Sequence, residues 1–222
     1  MTATVEAPPS APTSSAADAA DKPIPVTRRR IDVLLIGVGA AAAVVLFIAG
    51  GLLMWGATFA SDYVHDELVA QNITFPPAAA LEEEGRDDLV QYADEQVDTG
   101  AEAEAYAGFI AGHVEGIADG ATYSELGDEE RAAEEAATEA ITSGAPADEV
   151  AALEEEAAAI TGQRDSIFRG EMLRGTLLNT YAWDTIGRIA AIAAWVAFGA
   201  ALVMTGLVVA GAVHLRRLHR DA

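Results

Sequence analysis

The chain has no cysteine and a single lysine, Lys22, among 222 residues. Without thiols there is no disulfide framework and no thiolate chemistry, so any folded region must be held by packing alone. Neither a GxxxxGK[ST] nor a GxGxxG loop occurs, and there is no GxSxG elbow; nucleotide and acyl-transfer chemistry therefore have no foothold. Runs of alternating β-branched residues, the mark of strands, are missing too. Proline is confined: Pro8, Pro9, Pro12, Pro23 and Pro25 cluster near the start, and none follows Pro146.

Charge is abundant but lopsided. Residues 60–184 hold 30 Asp or Glu against five arginines, a net of −25, while the whole chain carries −22. Such a polyanion repels nucleic acid and anionic lipid, which excludes nucleic acid as a partner and leaves cations and basic proteins. The scarcity of lysine beside so much Ala, Glu and Asp also fits a composition bias of the whole organism. Most other basic residues flank two apolar runs, at Arg28, Arg29 and Arg30 and at Arg216, Arg217 and Arg220.

Those runs are 33–55, 23 residues and about 35 Å as a helix, and 189–213, 25 residues and about 38 Å. Both suffice to cross a bilayer. The first is too long for a signal-peptide core and lacks a good cleavage site, so it reads as an uncleaved signal anchor. Trp55 and Trp183, with Tyr63 and Tyr181 further out, mark the outer boundary of each span. Arginines at the inner ends put both termini in the cytoplasm and the acidic middle outside it.

The expected fold is all-α: two transmembrane helices joined by an acidic helical extracytoplasmic domain. Its parts are a disordered cytoplasmic tail (1–30), transmembrane helix 1 (31–59), the acidic domain (60–184), transmembrane helix 2 (185–214) and a short basic cytoplasmic tail (215–222). Helix 1 continues outward to about Gln71. A further helix is expected from Arg86 to Val97, then one bearing Tyr106, Phe109, Ile110, His113 and Ile117 on one face, ended by Gly120. Thr122 and Glu125 have capping-box spacing, opening a Glu/Ala-rich helix that ends near Gly144. The last helix follows Pro146 and carries Val150, Leu153, Ala157, Ile160 and Ile167 at roughly heptad spacing, with Gly162 interrupting. The polar stretch 126–162 is either packed or a solvated arm.

Small residues form tracks for close helix approach: Ala190, Ala194 and Ala193, Ala197, Ala201 in the second run, Gly37, Ala41 and Gly50, Gly51 in the first. They can mate within the hairpin or with another subunit, and the pattern does not choose.

Candidate sites are sparse. Asp98, Thr99 and Gly100 spell the aspartic-protease triplet, but that chemistry needs two such loops on a β scaffold; one copy between helices reads as a turn with glycine supplying a permissive backbone. His65 with Asp66 and Glu67, and His113 with Glu115, offer metal-ligand chemistry without a dense ligand set; His113 fits better as a histidine at the edge of an apolar face. The acidic runs lack calcium-loop order, so weak divalent cation binding is the most they support. Asn72, Ile73 and Thr74 form a glycosylation sequon without supporting context. Arg169, Arg174 and Arg188 are candidate interfacial or partner contacts, although Asp165, Glu171 and Asp184 stand three or four residues earlier, where intrahelical pairs form. No catalytic residue and no cofactor are indicated.

Three phrases, HDELVAQNITFPP (65–77), QVDTG with AYAGFIAGH (96–113) and FRGEMLRGTLLNTYAW (168–183), resemble a group of uncharacterised actinobacterial two-span membrane proteins. Some of these carry misleading names referring to aromatic-ring-opening dioxygenases; the chain shows no iron triad to match. The resemblance implies the topology only, and the acidic insertion at about 127–162 is longer than it leads one to expect. The function expected from these observations is a non-catalytic accessory or assembly partner in the cell envelope, bound to the bilayer and to another membrane protein or itself. The alternative is an extracytoplasmic ligand or cation sensor working through a separate cytoplasmic partner.

Overall fold

A computed structural model describes residues 28–218. The proline-rich tail up to residue 27 and the last four residues of the basic tail lie outside the described residues. Five α-helices and one 3-10 turn are formed: α1 (Arg28–Gln71), α2 (Ala78–Glu83), the 3-10 segment Asp87–Tyr92, α3 (Gly100–Ile117), α4 (Tyr123–Ser143) and α5 (Ala147–Leu218). Among the described residues there is no strand, only an isolated antiparallel bridge between Thr74 and Gln96. Helices α1 and α5, of 44 and 72 residues, each contain a window long and apolar enough to cross a membrane. Only 6% of either window is buried within the chain.

The helix boundaries follow from local chemistry. α1 stops where Asn72 takes a left-handed backbone (φ 51°), which asparagine tolerates better than most residues. Thr99 with Glu102 and Thr122 with Glu125 form capping boxes that open α3 and α4. Gly144 (φ 73°) ends α4, and Ala145 N–H returns to Ala140 C=O at 2.9 Å. α5 then runs through Gly162 without a break.

The helix expected from Arg86 to Val97 is not formed. Gly85 (φ 70°) and Asp94 (φ 61°) bracket the stretch with left-handed backbone. Its end is drawn into extended pairing: Phe75 N–H donates to Glu95 C=O and Val97 N–H to Ile73 C=O, each at 2.9 Å. This pairing seats Phe75 and Val97 in the core, an outcome that helical propensity does not encode.

The chain divides into two compact units. In the unit 46–199 the main core gathers Val64, Leu68, Phe75, Leu81, Leu89, Val97 and Leu177 around Ala103, Ala107 and Phe109 of α3. Each fully buried large side chain there contributes roughly 1.5–3 kcal/mol. Phe75 stacks on Tyr92 at 5.2 Å and meets Tyr106 edge-on at 5.1 Å. A second cluster joins Val114, Leu126 and Ile167, with Ile160 beside it, so α4 packs on the start of α5 rather than standing free in solvent. Close approaches fall at glycines: a methyl at Gly170 would overlap Val114, one at Gly187 would stand 3.1 Å from Ala60 Cβ, and one at Gly50 2.8 Å from the Phe198 ring. Ala194 is fully buried while Ala193 is exposed. Ala190 and Ala197 are half-buried and Ala201 is buried, so both alanine rows pass into contact with this chain and only Ala193 stands outward. Trp55, Phe59 and Tyr63 stack in an exposed ladder along α1 with ring spacings of 6.1 and 6.3 Å.

In the other unit, whose described residues are 28–45 and 200–218, the helices meet where Gly39 faces Val208 and Gly211 faces Ile36. A cleft of about 270 Å³ opens there, apolar except for Asp32 and His214 at its rim.

Candidate functional site

The triplet Asp98, Thr99 and Gly100 lies where α3 meets both long helices. Thr99 caps α3, accepting from Glu102 N–H at 3.3 Å, and Glu102 answers by accepting from the backbone N–H of Asp98 at 2.8 Å and of Thr99 at 3.0 Å. The Asp98 carbonyl stands 3.3 Å from Nδ1 of His65 on α1. Gly100 lies against Asp184 of α5, whose Cβ and carboxyl occupy the space that a side chain at 100 would fill. The expectation of a permissive backbone is corrected here. Gly100 is buried and has no positive φ; it is glycine because α5 comes too close for a Cβ. The Asp184 carboxylate is also well placed for the partial positive charge at the start of α3.

Around this clasp is a cleft of about 340 Å³ lined by Ser61, Asp62, His65, Asp66, Asp98 and Asp184. Burial raises the Asp98 carboxyl above its ordinary pKa, with hydrogen bonding and charge from Glu102 adding to it and His65 opposing. For Glu102 burial pushes the same way, but the backbone N–H groups of Asp98 and Thr99 outweigh it and the net direction is down. The two neighbouring carboxyls are thus shifted in opposite directions, Asp98 up and Glu102 down. Such a cleft can hold a proton or draw cations. Among the described residues no group of three or more His, Cys, Asp or Glu is arranged to hold a metal ion.

The sequence-derived candidates fall as follows. Arg169 pairs with Asp165 at 3.6 Å, Arg174 with Glu171 at 3.0 Å and Arg188 with Asp184 at 3.2 Å, each within α5. Arg188 has its counter-ion in Asp184 and a further contact to Thr185 Oγ1 at 3.4 Å. It lines a smaller cleft with Asp62 and Asp184 beside the acidic one. His113 is half-exposed, edge-on to Phe109 at 4.5 Å and 3.6 Å from Glu84, a histidine at the rim of the core. Two features escaped the sequence reading. Asp62, four residues before Asp66 on α1, joins the already named His65 and Asp66 in the cleft, and that spacing was the available signal. Arg86 bridges Asp88, at 2.9 Å, and the Gly108 carbonyl, at 3.0 Å, tying the 3-10 segment to α3.

A second groove, of about 340 Å³, lies between α1 and α5 and is lined by Tyr63, Glu67, Gln71, Ile73, Asn179 and Trp183 among others. No protein-family model, no curated protein and no solved structure matches this chain.

Proposed function

We propose that this chain is a non-catalytic integral membrane protein that crosses the bilayer through α1 and α5. Residues 60–184 stand outside the cytoplasm, and the chain serves as an accessory or assembly partner in the cell envelope. The observation that carries this reading is the outward apolar surface of the two helices. Leu34, Leu35, Phe47, Leu52, Trp195 and Leu202 are each 60% exposed or more, a surface that water does not tolerate and that lipid or a protein must cover. Arg169, Arg174 and Arg188 remain its candidate contacts, as charges already paired but reachable.

Cross-linking in native membranes followed by affinity purification of the full chain tests the reading. A reproducible protein partner or self-assembly is expected; a chain that stays monomeric and partnerless in mild detergent overturns it. The acidic cleft favours a second reading, an extracytoplasmic cation sensor working through a separate partner. Ligand binding must raise the melting temperature of the folded state, so calcium or zinc titration that leaves it unmoved removes the sensor.

A further inference from the structure

Within residues 147–199, α5 has two faces. The inner one, through Ile167, Leu177, Gly187 and Ala194, is buried within its own chain. The outer one runs from Phe168 through Met172, Gly175, Asn179, Ala182 and Ile186, with steps alternating between four and three residues, and the same steps continue to Val196. Every position on this outer row is exposed and none is charged. This is the a/d spacing of a coiled-coil seam, displaced by one residue from Ile167, about 100° around the helix, and so on a flank of α5 beside the inner face.

Lipid accounts for only part of the row. On the topology proposed above, Trp183 marks the outer membrane boundary, and Phe168 lies 15 residues, about 22 Å, beyond it. There Phe168, tilted against Tyr123 of α4 at 5.8 Å, is still 50% exposed and Met172 56%, in a region of net −25 charge. The geometry points to a second copy of this chain as the occupant, seated seam to seam in a parallel α5–α5 pair; this rests on the membrane-assembly reading.

Three observations select a second copy. Met172, Asn179 and Ile186 are spaced by seven and so share one core position of the seam. A single asparagine at such a position sets register and partner number in parallel coiled coils. Asn179 stands exposed at the edge of the groove toward α1 and has no hydrogen-bond partner among the described residues; its amide, donor and acceptor together, matches its own copy across a two-fold axis. Copies inserted by the same rule have parallel α5 helices, which brings Asn179 level with Asn179. Finally, three of the five arginines of 60–184 (Arg164, Arg169 and Arg174) lie in the stretch 164–174, against two acids, Asp165 and Glu171. The polyanionic domains therefore repel least where the seam begins. Gly175 faces open space in the single chain, leaving room for close approach of a second helix. The row ends one step above Phe168, at the charged Asp165.

Because the chain has no cysteine, a walk of single cysteines from 172 to 186 in the full-length protein, oxidised in native membranes, reads the interface directly. Dimer yield should peak at 172, 175, 179, 182 and 186 and stand several-fold above that of Ala136→Cys on the exposed side of α4. With Met172→Cys as reporter, Asn179→Asp should remove most of the cross-linked dimer, and helix content measured on the same sample confirms the fold. A flat walk, or yields equal to that of Ala136→Cys, overturns the seam. Adducts with a different protein at the same positions overturn the second copy but leave the assembly reading standing; no adduct and no co-purifying protein overturns both.

Discussion

At the scale of single residues, the acidic clasp is where charge and fold are in tension. Asp98 is ionised with difficulty because it is partly buried and faces Glu102. A carboxyl whose folded pKa is raised costs nothing below its unfolded value, near 3.9, and destabilises increasingly as pH rises through the folded one. Glu102 has the opposite sign: its contribution is present above about 4.3 and lost as pH falls through its depressed folded value. Asp98→Asn keeps a donor toward Glu102 and removes the charge. The variant should therefore melt higher than the natural chain at pH 7, with the difference closing below about pH 4, where the natural aspartate at 98 is as uncharged as the asparagine. Thermal unfolding of the full chain in detergent at the two pH values measures this. A lower melting temperature for the variant at pH 7 would show instead that the ionised carboxylate serves a favourable contact, and would turn attention to a cation in the cleft.

At the scale of elements, α4 is the one whose packing composition obscures. Its surface is so rich in Glu and Ala that periodicity left it open as a packed helix or a solvated arm, whereas its two ends, Thr122 with Glu125 and Gly144, were legible because capping chemistry is local. What decides its packing is a long-range contact. Arg164 of α5 lies 4.3 Å from the Tyr123 ring centroid, reaches across Gly127 and pairs with Glu130. Glu130 is held below the usual carboxylate range by the Thr161 hydroxyl and then by Arg164. Arg164→Ala should speed amide exchange across 123–143 while leaving 64–109 protected, and hydrogen-exchange mass spectrometry resolves the two. Equal acceleration in both segments would mean that α4 is part of one cooperative core. The stretch 78–97 was unreadable for the same kind of reason: its bridge to 73–75 is a tertiary bargain between Phe75, Val97 and the core. The role of Gly100 was hidden because only the approach of Asp184, 84 residues later, explains it.

At the scale of the whole molecule, orientation in the bilayer is a question of where charge is least costly. The proposed topology keeps Arg28, Arg29, Arg30, Arg216, Arg217 and Arg220 on the cytoplasmic side, following the positive-inside bias. It places the −25 region on the outer side, where an inside-negative membrane potential favours anions by about 2.3 kcal/mol per charge per 100 mV. Both terms act in one direction, and an even number of spans forces the two termini to share a side. A cysteine introduced as Ala136→Cys should therefore react with a membrane-impermeant maleimide in intact cells, and Ala222→Cys only after the membrane is opened. The natural chain, having no thiol, supplies the blank. Labelling of Ala222→Cys in intact cells with Ala136→Cys protected would invert the proposed orientation; labelling of both would mean that one of the two helices does not cross, and the parallel pairing of α5 inferred from its outer row would lose its geometric basis.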